Sequence, residues 1–123
     1  MISRISVLAP LAAGLALAAP SAQAQDVNAG KQVFAQCAAC HSIDGTNGVG
    51  PSLKGIDGRK VGIFPGFRYS RALKNAGYSW DAKTLDAYIA DPQKALPGGV
   101  MPFSGLPDAK QRADLIAYLQ TLK

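Results

Sequence analysis

Two cysteines and the single histidine of the chain lie together in the segment Cys37-Ala38-Ala39-Cys40-His41. This is the C-x-x-C-H pattern of c-type haem attachment. The two thiols can add across the haem vinyl groups, because a three-residue offset on a helical turn puts both sulfurs along one haem edge. His41 can then reach the iron as the proximal ligand. The segment predicts one covalent haem held by Cys37 and Cys40, with His41 binding the metal.

Three other interpretations of this segment are weaker. A thioredoxin-like redox pair accompanies a βαβ pattern, and the sequence has none. A zinc site normally needs four ligands, and the chain offers no Cys or His beyond these three. A structural disulfide is common in exported proteins, but the close spacing of Cys37 and Cys40 disfavours it.

The sixth iron ligand must come from another residue type, because His41 is the only histidine. Residues 25–123 contain one methionine, Met101. A lone methionine more often fills a gap in a core. Met101, however, lies in a loop with two glycines, flanked by Pro97 and Pro102, where a soft thioether can be presented to the iron. We therefore expect Met101 to be the second metal ligand.

Residues 1–24 have the features of a secretory signal peptide. Arg4 precedes an apolar run, Pro20 follows the run as a breaker, and small residues surround the expected cleavage site after Ala24. The run is too short and too broken for a membrane span, which needs about 20 predominantly apolar residues; an uncleaved anchor is the alternative. We expect a cleaved signal at 1–24, a single domain at 25–123 and a periplasmic location.

The composition of residues 25–123 suggests a core that side chains alone do not complete. Only 22 of these 99 residues are Leu, Ile, Val or Phe, close to the level of about 20% below which chains tend not to fold. They also include 12 glycines and 6 prolines. A bound group is expected to complete the core.

The charge of the same residues is moderate. Without Arg4 there are 12 Lys and Arg against 8 Asp, a formal charge of +4. The basic residues are scattered along the chain, which argues against nucleic-acid binding and favours a weak preference for acidic partner surfaces.

Apolar spacing and capping residues predict an all-α protein. A first helix is expected from an N-cap at Asp26 to the cysteines, and a short helix from Ser70 to Asn75. Two more are expected at 81–90, ended by Pro92, and from Asp108 to the end of the chain. Between them, residues 45–66 contain seven glycines and two prolines. Such a density predicts a long loop, which is uncommon unless it wraps a ligand.

With these features the chain resembles the class I c-type cytochromes, near the mitochondrial and bacterial c2-like branch, over essentially all of residues 25–123. Further matching stretches are Gly50-Pro51-Ser52-Leu53, Gly58-Arg59-Lys60, Pro65-Gly66-Phe67-Arg68-Tyr69, Asn75-Ala76-Gly77-Tyr78-Ser79-Trp80 and Leu115-Ile116-Ala117-Tyr118-Leu119. The resemblance implies the cytochrome c fold, with three to five helices and long loops wrapped around one covalent haem c.

The resemblance also implies roles for residues around the haem. Pro51 would offer its carbonyl to the Nδ1–H of His41, orienting the ring and raising its basicity. Tyr88 would lie near Met101 and could hydrogen-bond its sulfur, although helical spacing alone makes it only a core residue. The haem propionates, which are too costly to bury unpaired, would be held by Arg59, Tyr69 and the indole N–H of Trp80.

Two further implications concern packing and the protein surface. Gly30 and Phe34 would cross the last helix at Leu115 and Tyr118, the glycine permitting close approach. Mitochondrial family members tend to carry lysine or another basic residue at three positions near the haem edge, which here hold Gln36, Gln93 and Val100.

The function implied is that of a monomeric electron carrier, not an enzyme. Its partners would be redox proteins that it docks transiently: a cytochrome bc1-type complex, a terminal oxidase, a reaction centre or a dehydrogenase. One alternative is a haem peroxidase or gas-binding protein with a labile Met101, although no distal histidine is present to activate peroxide. Another is a dedicated donor for one periplasmic dehydrogenase.

Overall fold

The computed structural model describes residues 6–15 and 25–123. Residues 6–15 are exposed and have no regular structure. The rest of the predicted signal peptide, including the expected cleavage site after Ala24, lies outside the described residues. In the described stretches, no helix combines the length and the apolar character that crossing a membrane requires.

All regular structure in the described stretches is helical except for one isolated antiparallel bridge between Lys60 and Ser79. The first helix is extended by a 3-10 turn at Phe34–Gln36, and the last helix is the longest. The prediction of an all-α protein is confirmed. The five α-helices are α1 (Val27–Val33), α2 (Arg71–Lys74), α3 (Ala82–Ala90), α4 (Pro92–Ala95) and α5 (Ala109–Leu119).

Short polar side chains start the helices as the sequence predicts. Those of Asp26, Ser70 and Asp108 each accept hydrogen bonds from backbone amides of the first turn that follows. Asp81 and Thr84 form a reciprocal capping box, each side chain bonding to the other's backbone N–H. Each cap satisfies an N–H that the helix leaves unpaired and contributes about 1 kcal/mol.

Two details of the helices differ from the prediction. Helix α3 ends at Ala90 as expected, but Pro92 also begins the unpredicted helix α4. Proline suits the first helical position because its missing N–H would be unpaired there, and the Asp91 side chain caps the new helix. Helix α5 stops at Leu119, short of the chain end, and the Leu122 carbonyl accepts from the Gly55 N–H of the long loop.

Helices α1 and α5 cross in close contact at Gly30. A Cβ at this position would lie 1.9 Å from the backbone oxygen of Asp114, so no other residue fits without movement. One turn away, the rings of Phe34 and Tyr118 pack with centroids 5.3 Å apart. The crossing implied by the resemblance is therefore present, with Asp114 rather than Leu115 at the closest approach.

A buried carboxylate at this crossing was not predicted from the sequence. Asp114 is only 5% exposed and accepts hydrogen bonds from Lys110 Nζ at 2.6 Å and from the Asp26 N–H at 2.9 Å. The Lys110 hydrogen bond, followed by that from the Asp26 amide, lowers the pKa of this carboxyl. The N-terminus of α1 is thereby tied to α5.

The loop at residues 45–66 contains no helix and is organised around Ser52, which is fully buried. The Ser52 hydroxyl accepts from the N–H groups of Gly45 and Lys54 at 2.9 and 3.2 Å, and it donates to the Ser42 carbonyl at 3.3 Å. The side-chain carbonyl oxygen of Asn47 accepts a further bond from the Ser52 N–H at 3.2 Å. These side-chain bonds replace the regular ladder that the glycines prevent, and they fix the loop beside the Cys-x-x-Cys-His segment.

Candidate functional site

The helices and loops line a cavity of about 260 Å³ with a mainly apolar wall. Its lining comes from the cysteine segment, the long loop, the loop that carries the methionine, and helices α3 and α5. Every residue that the sequence predicted to bind the cofactor or the metal contributes to its wall. These residues are Cys37, Cys40, His41, Pro51, Arg59, Tyr69, Trp80, Tyr88 and Met101.

The two cysteines lie on a tight turn that continues the first helix. The N–H groups of Cys40 and His41 both bond to the Cys37 carbonyl, at 3.1 and 2.9 Å, which places the three side chains in succession along the cavity. Both thiols are free. Burial, with a smaller effect from the neighbouring Cys40, raises the pKa of the Cys37 thiol. The turn offers two unlinked thiols to one cavity, as the haem motif requires.

The His41 ring is fixed by a backbone carbonyl. Its Nδ1 lies 2.8 Å from the Pro51 oxygen. Because a carbonyl can only accept, Nδ1 carries the proton and donates it, which leaves the lone pair of Nε2 for a metal. Gly50 packs against the ring, and a Cβ there would lie 2.4 Å from His41 Cε1. The role of Gly50 was not predicted, although it belongs to one of the matching stretches.

Arg59 and Tyr69 form a polar part of the wall. The Arg59 guanidinium donates to the carbonyls of Ser52 at 2.9 Å and Lys54 at 3.2 Å, and it lies 4.5 Å above the Phe64 ring. The Tyr69 hydroxyl accepts from the Phe64 N–H at 3.2 Å. Burial lowers the pKa of Arg59 and raises that of Tyr69. A guanidinium has five N–H donors, so two carbonyls do not exhaust its capacity to bind an anion.

Trp80 is positioned by the backbone next to Arg59. Its backbone N–H donates to the Arg59 carbonyl at 2.8 Å and its carbonyl accepts from the Gly58 N–H at 2.7 Å, both on one side of the isolated bridge between Lys60 and Ser79. The indole packs on the Tyr88 ring, with centroids 5.0 Å apart. Burial raises the pKa of Tyr88. The structure thus brings these residues to one cavity from the long loop, the bridge and α3.

Met101 is half-buried on the cavity wall, in the irregular segment that follows α4. Before it, the Gly99 N–H bonds to the Leu96 carbonyl at 3.2 Å and closes a turn. After it, the chain passes close to the end of α3, where a Cβ on Gly105 would lie 2.2 Å from the Ala90 oxygen. The loop is therefore anchored at both ends, and Met101 lies between the anchors.

These residues fit a covalent haem better than the alternatives. The cavity combines two free thiols, an imidazole in the correct tautomer, a thioether, apolar walls and an arginine with spare donors. A zinc site receives no support, since the described residues contain no group of three or more His, Cys, Asp and Glu side chains able to hold a metal ion. A structural disulfide receives none either, because both thiols are free.

Two exposed valines mark the opening of the cavity. Val49 and Val100 both contribute to its wall, yet they are 73% and 78% exposed. Val49 belongs to the loop beside His41, and Val100 precedes Met101. The rim of the cavity is therefore apolar at these two points.

The chain is similar to several known proteins. The family model described as Cytochrome c matches residues 27–123. Cytochrome c2 of Rhodoblastus acidophilus is 50% identical over 102 residues, covering 81% of this chain and 95% of that protein. Cytochrome c2 of Rhodomicrobium vannielii is 44% identical over 116 residues, covering 93% of each. Among solved structures, cytochrome cH from Methylobacterium extorquens matches with a TM-score of 0.76 and 47% identity, covering 78% of this chain and 98% of that chain.

Proposed function

The chain belongs to the cytochrome c family, and from that premise we propose that it is a periplasmic single-electron carrier whose iron is ligated by His41 and Met101. The family implies electron transfer and one covalent haem c. That group supplies an iron that accepts one electron in passing from the ferric to the ferrous state and releases it on reoxidation. The residues of this chain attach, ligate and shield it.

The observation that carries the proposal is the hydrogen bond between His41 Nδ1 and the Pro51 carbonyl, in a cavity that also contains Met101. The bond orients the imidazole and raises the basicity of Nε2. Cys37 and Cys40 would each form one thioether and so hold the cofactor against His41. A thioether ligand favours ferrous iron, so the His41 and Met101 pair would give the bound group a comparatively positive potential.

The polar residues of the wall would bind the charged edge of the cofactor. Arg59, Tyr69 and the Trp80 indole would hold the propionates, whose charges need partners in a partly buried site. Arg59 is itself held by two backbone carbonyls, which orient its guanidinium in the cavity wall. Tyr88 lines the same cavity as Met101 and is our candidate for a hydrogen bond to its sulfur.

The proposed domain boundary and cellular location depend on the N-terminal segment. We propose that residues 1–24 are a signal peptide cleaved after Ala24 and that residues 25–123 form the periplasmic domain. The family match at 27–123 supports this division. Partners would be a cytochrome bc1-type complex, a terminal oxidase, a reaction centre or a dehydrogenase, docked transiently by a monomer.

Visible spectra of the purified protein in the oxidised state, the reduced state and the reduced state under carbon monoxide test these assignments together. We expect a covalent, low-spin haem and no carbon monoxide binding by the native ferrous protein at neutral pH, because both axial positions are filled. Met101→Ala should be high-spin in the oxidised, ferric state and should bind carbon monoxide rapidly in the reduced, ferrous state. Rapid, stoichiometric binding by the unmodified protein would instead favour the peroxidase or gas-binding alternative.

A further inference from the structure

The side chain of Gln93 bonds to the loop that carries Met101 at two neighbouring points. Gln93 Nε2 donates to the Gly99 carbonyl at 2.7 Å, and Gln93 Oε1 accepts from the Gly98 N–H at 3.4 Å. The Gly99 carbonyl is only two residues from Met101 in sequence. None of the proposed haem-binding and iron-ligating roles involves this contact.

We propose that Gln93 is a positioning residue for Met101, fixing the turn before it so that the thioether stays directed at the cavity. The inference rests on the proposed ligation by Met101. Gln93 would thus help to retain the sixth ligand. From the sequence, the position of Gln93 near the haem edge suggested only an effect on partner docking.

The carboxamide suits this task because it is both a donor and an acceptor. Its orientation is determined by the contacts, since reversing the amide would place its oxygen against the Gly99 carbonyl. A lysine could donate to that carbonyl but could not accept from the Gly98 N–H. A glutamate could accept from Gly98 but would place a charged oxygen against the Gly99 carbonyl. Glutamine alone among these three satisfies both backbone groups.

Gln93 belongs to a helix that is well anchored. It is the second residue of α4, which begins at Pro92 and is capped by the Asp91 side chain bonding to the Lys94 N–H at 3.2 Å. The buried ring of Pro92 anchors this helix to the rest of the protein. The loop, in contrast, includes the exposed Gly98 in a left-handed conformation, φ +93°. Two bonds from a fixed helix thus restrain a turn that is otherwise held by short backbone contacts.

The test uses the ferric holoprotein and added imidazole, a probe that binds ferric iron when its sixth position opens. Gln93→Ala removes both bonds and should bind imidazole about fivefold more tightly, because each exposed hydrogen bond contributes modestly. Gln93→Lys retains a donor for the shorter bond and should show a smaller increase. Amide exchange at Gly98 should be faster in Gln93→Ala and Gln93→Lys than in Gln93→Glu, which retains the acceptor.

Gln32→Ala is the matched control, since Gln32 is also an exposed helical glutamine and lies outside the cavity wall. Its imidazole affinity should equal that of the unmodified protein, and its denaturation midpoint should be close to that of Gln93→Ala. Equal imidazole affinity in Gln93→Ala and Gln32→Ala would overturn the inference while leaving ligation by Met101 intact. If Met101→Ala retained the sulfur-to-iron charge-transfer band of the ferric protein, the proposed ligation would fail, and the inference with it.

Discussion

The two sides of the cavity are built differently. On the His41 side, Gly50 leaves no room for a methyl group, Pro51 fixes the imidazole, and the fully buried Ser52 holds the loop through several hydrogen bonds. On the Met101 side, the turn is exposed and is held by the Gln93 side chain and short backbone contacts. Under the proposed ligation, any exchange of an axial ligand would begin at Met101, because less packing opposes movement on that side than on the His41 side.

The largest effect is expected when the cofactor enclosed by both sides of the cavity is no longer attached. In Cys37→Ala with Cys40→Ala the cofactor is no longer covalently attached, and we expect a largely disordered chain. Residues 25–123 have few large apolar side chains, so the cavity would leave their core incomplete. Circular dichroism during heating measures this directly. A cooperative thermal transition in the haem-free variant would show that both walls fold without the cofactor.

A matched pair of glycine substitutions tests the difference in rigidity. In Gly50→Ala the new Cβ would lie 2.4 Å from His41 Cε1, so the ring or the loop must shift, and we expect a loss of about 1–3 kcal/mol of stability. In Gly99→Ala the nearest atom is the Leu96 oxygen at 3.4 Å, and we expect a change within about 1 kcal/mol. Chemical denaturation of the two holoproteins compares them. Equal losses would contradict the contrast between the two sides.

Much of this arrangement was predictable because its determinants are local. The caps at Asp26, Ser70, Asp81 and Asp108 lie next to the helices that they start. The five residues from Cys37 to His41 include both thiols and the imidazole that the attachment chemistry needs. The residues predicted to bind the cofactor or the metal all contribute to one cavity wall, although the resemblance rather than local pattern suggested several of them.

The features that were missed depend on contacts between segments distant in sequence or on competing local preferences. Asp114 is buried because the N–H of Asp26, 88 positions earlier, reaches its carboxylate, and no periodic pattern in α5 reveals this. Helix α4 was missed because Pro92 can end one helix or start the next, and the Asp91 cap decides between them. The role of Gln93 depends on a turn that brings Gly98 and Gly99 back to it.

The smallest expected effect is a change in electron-transfer rate that depends on which side of the cavity opening a partner contacts. The exposed residues Arg71 and Lys74 belong to α2, which packs near Gly98, whereas residues 36–51 beside His41 contain no lysine or arginine. An acidic partner should therefore be steered toward the Met101 side. Val100→Lys should raise the rate at which a purified terminal oxidase oxidises the reduced protein about twofold to threefold at low ionic strength.

Val49→Lys is the control, because it adds the same charge to an equally exposed rim position on the His41 side. We expect a smaller increase from it, and both increases should disappear above about 0.5 M salt, where charges more than a few ångströms apart are screened. Neither substitution should change stability by more than about 0.5 kcal/mol, since both side chains are largely in solvent. Equal increases would instead place the partner centrally over the opening, and the two sides would then differ in rigidity but not in docking.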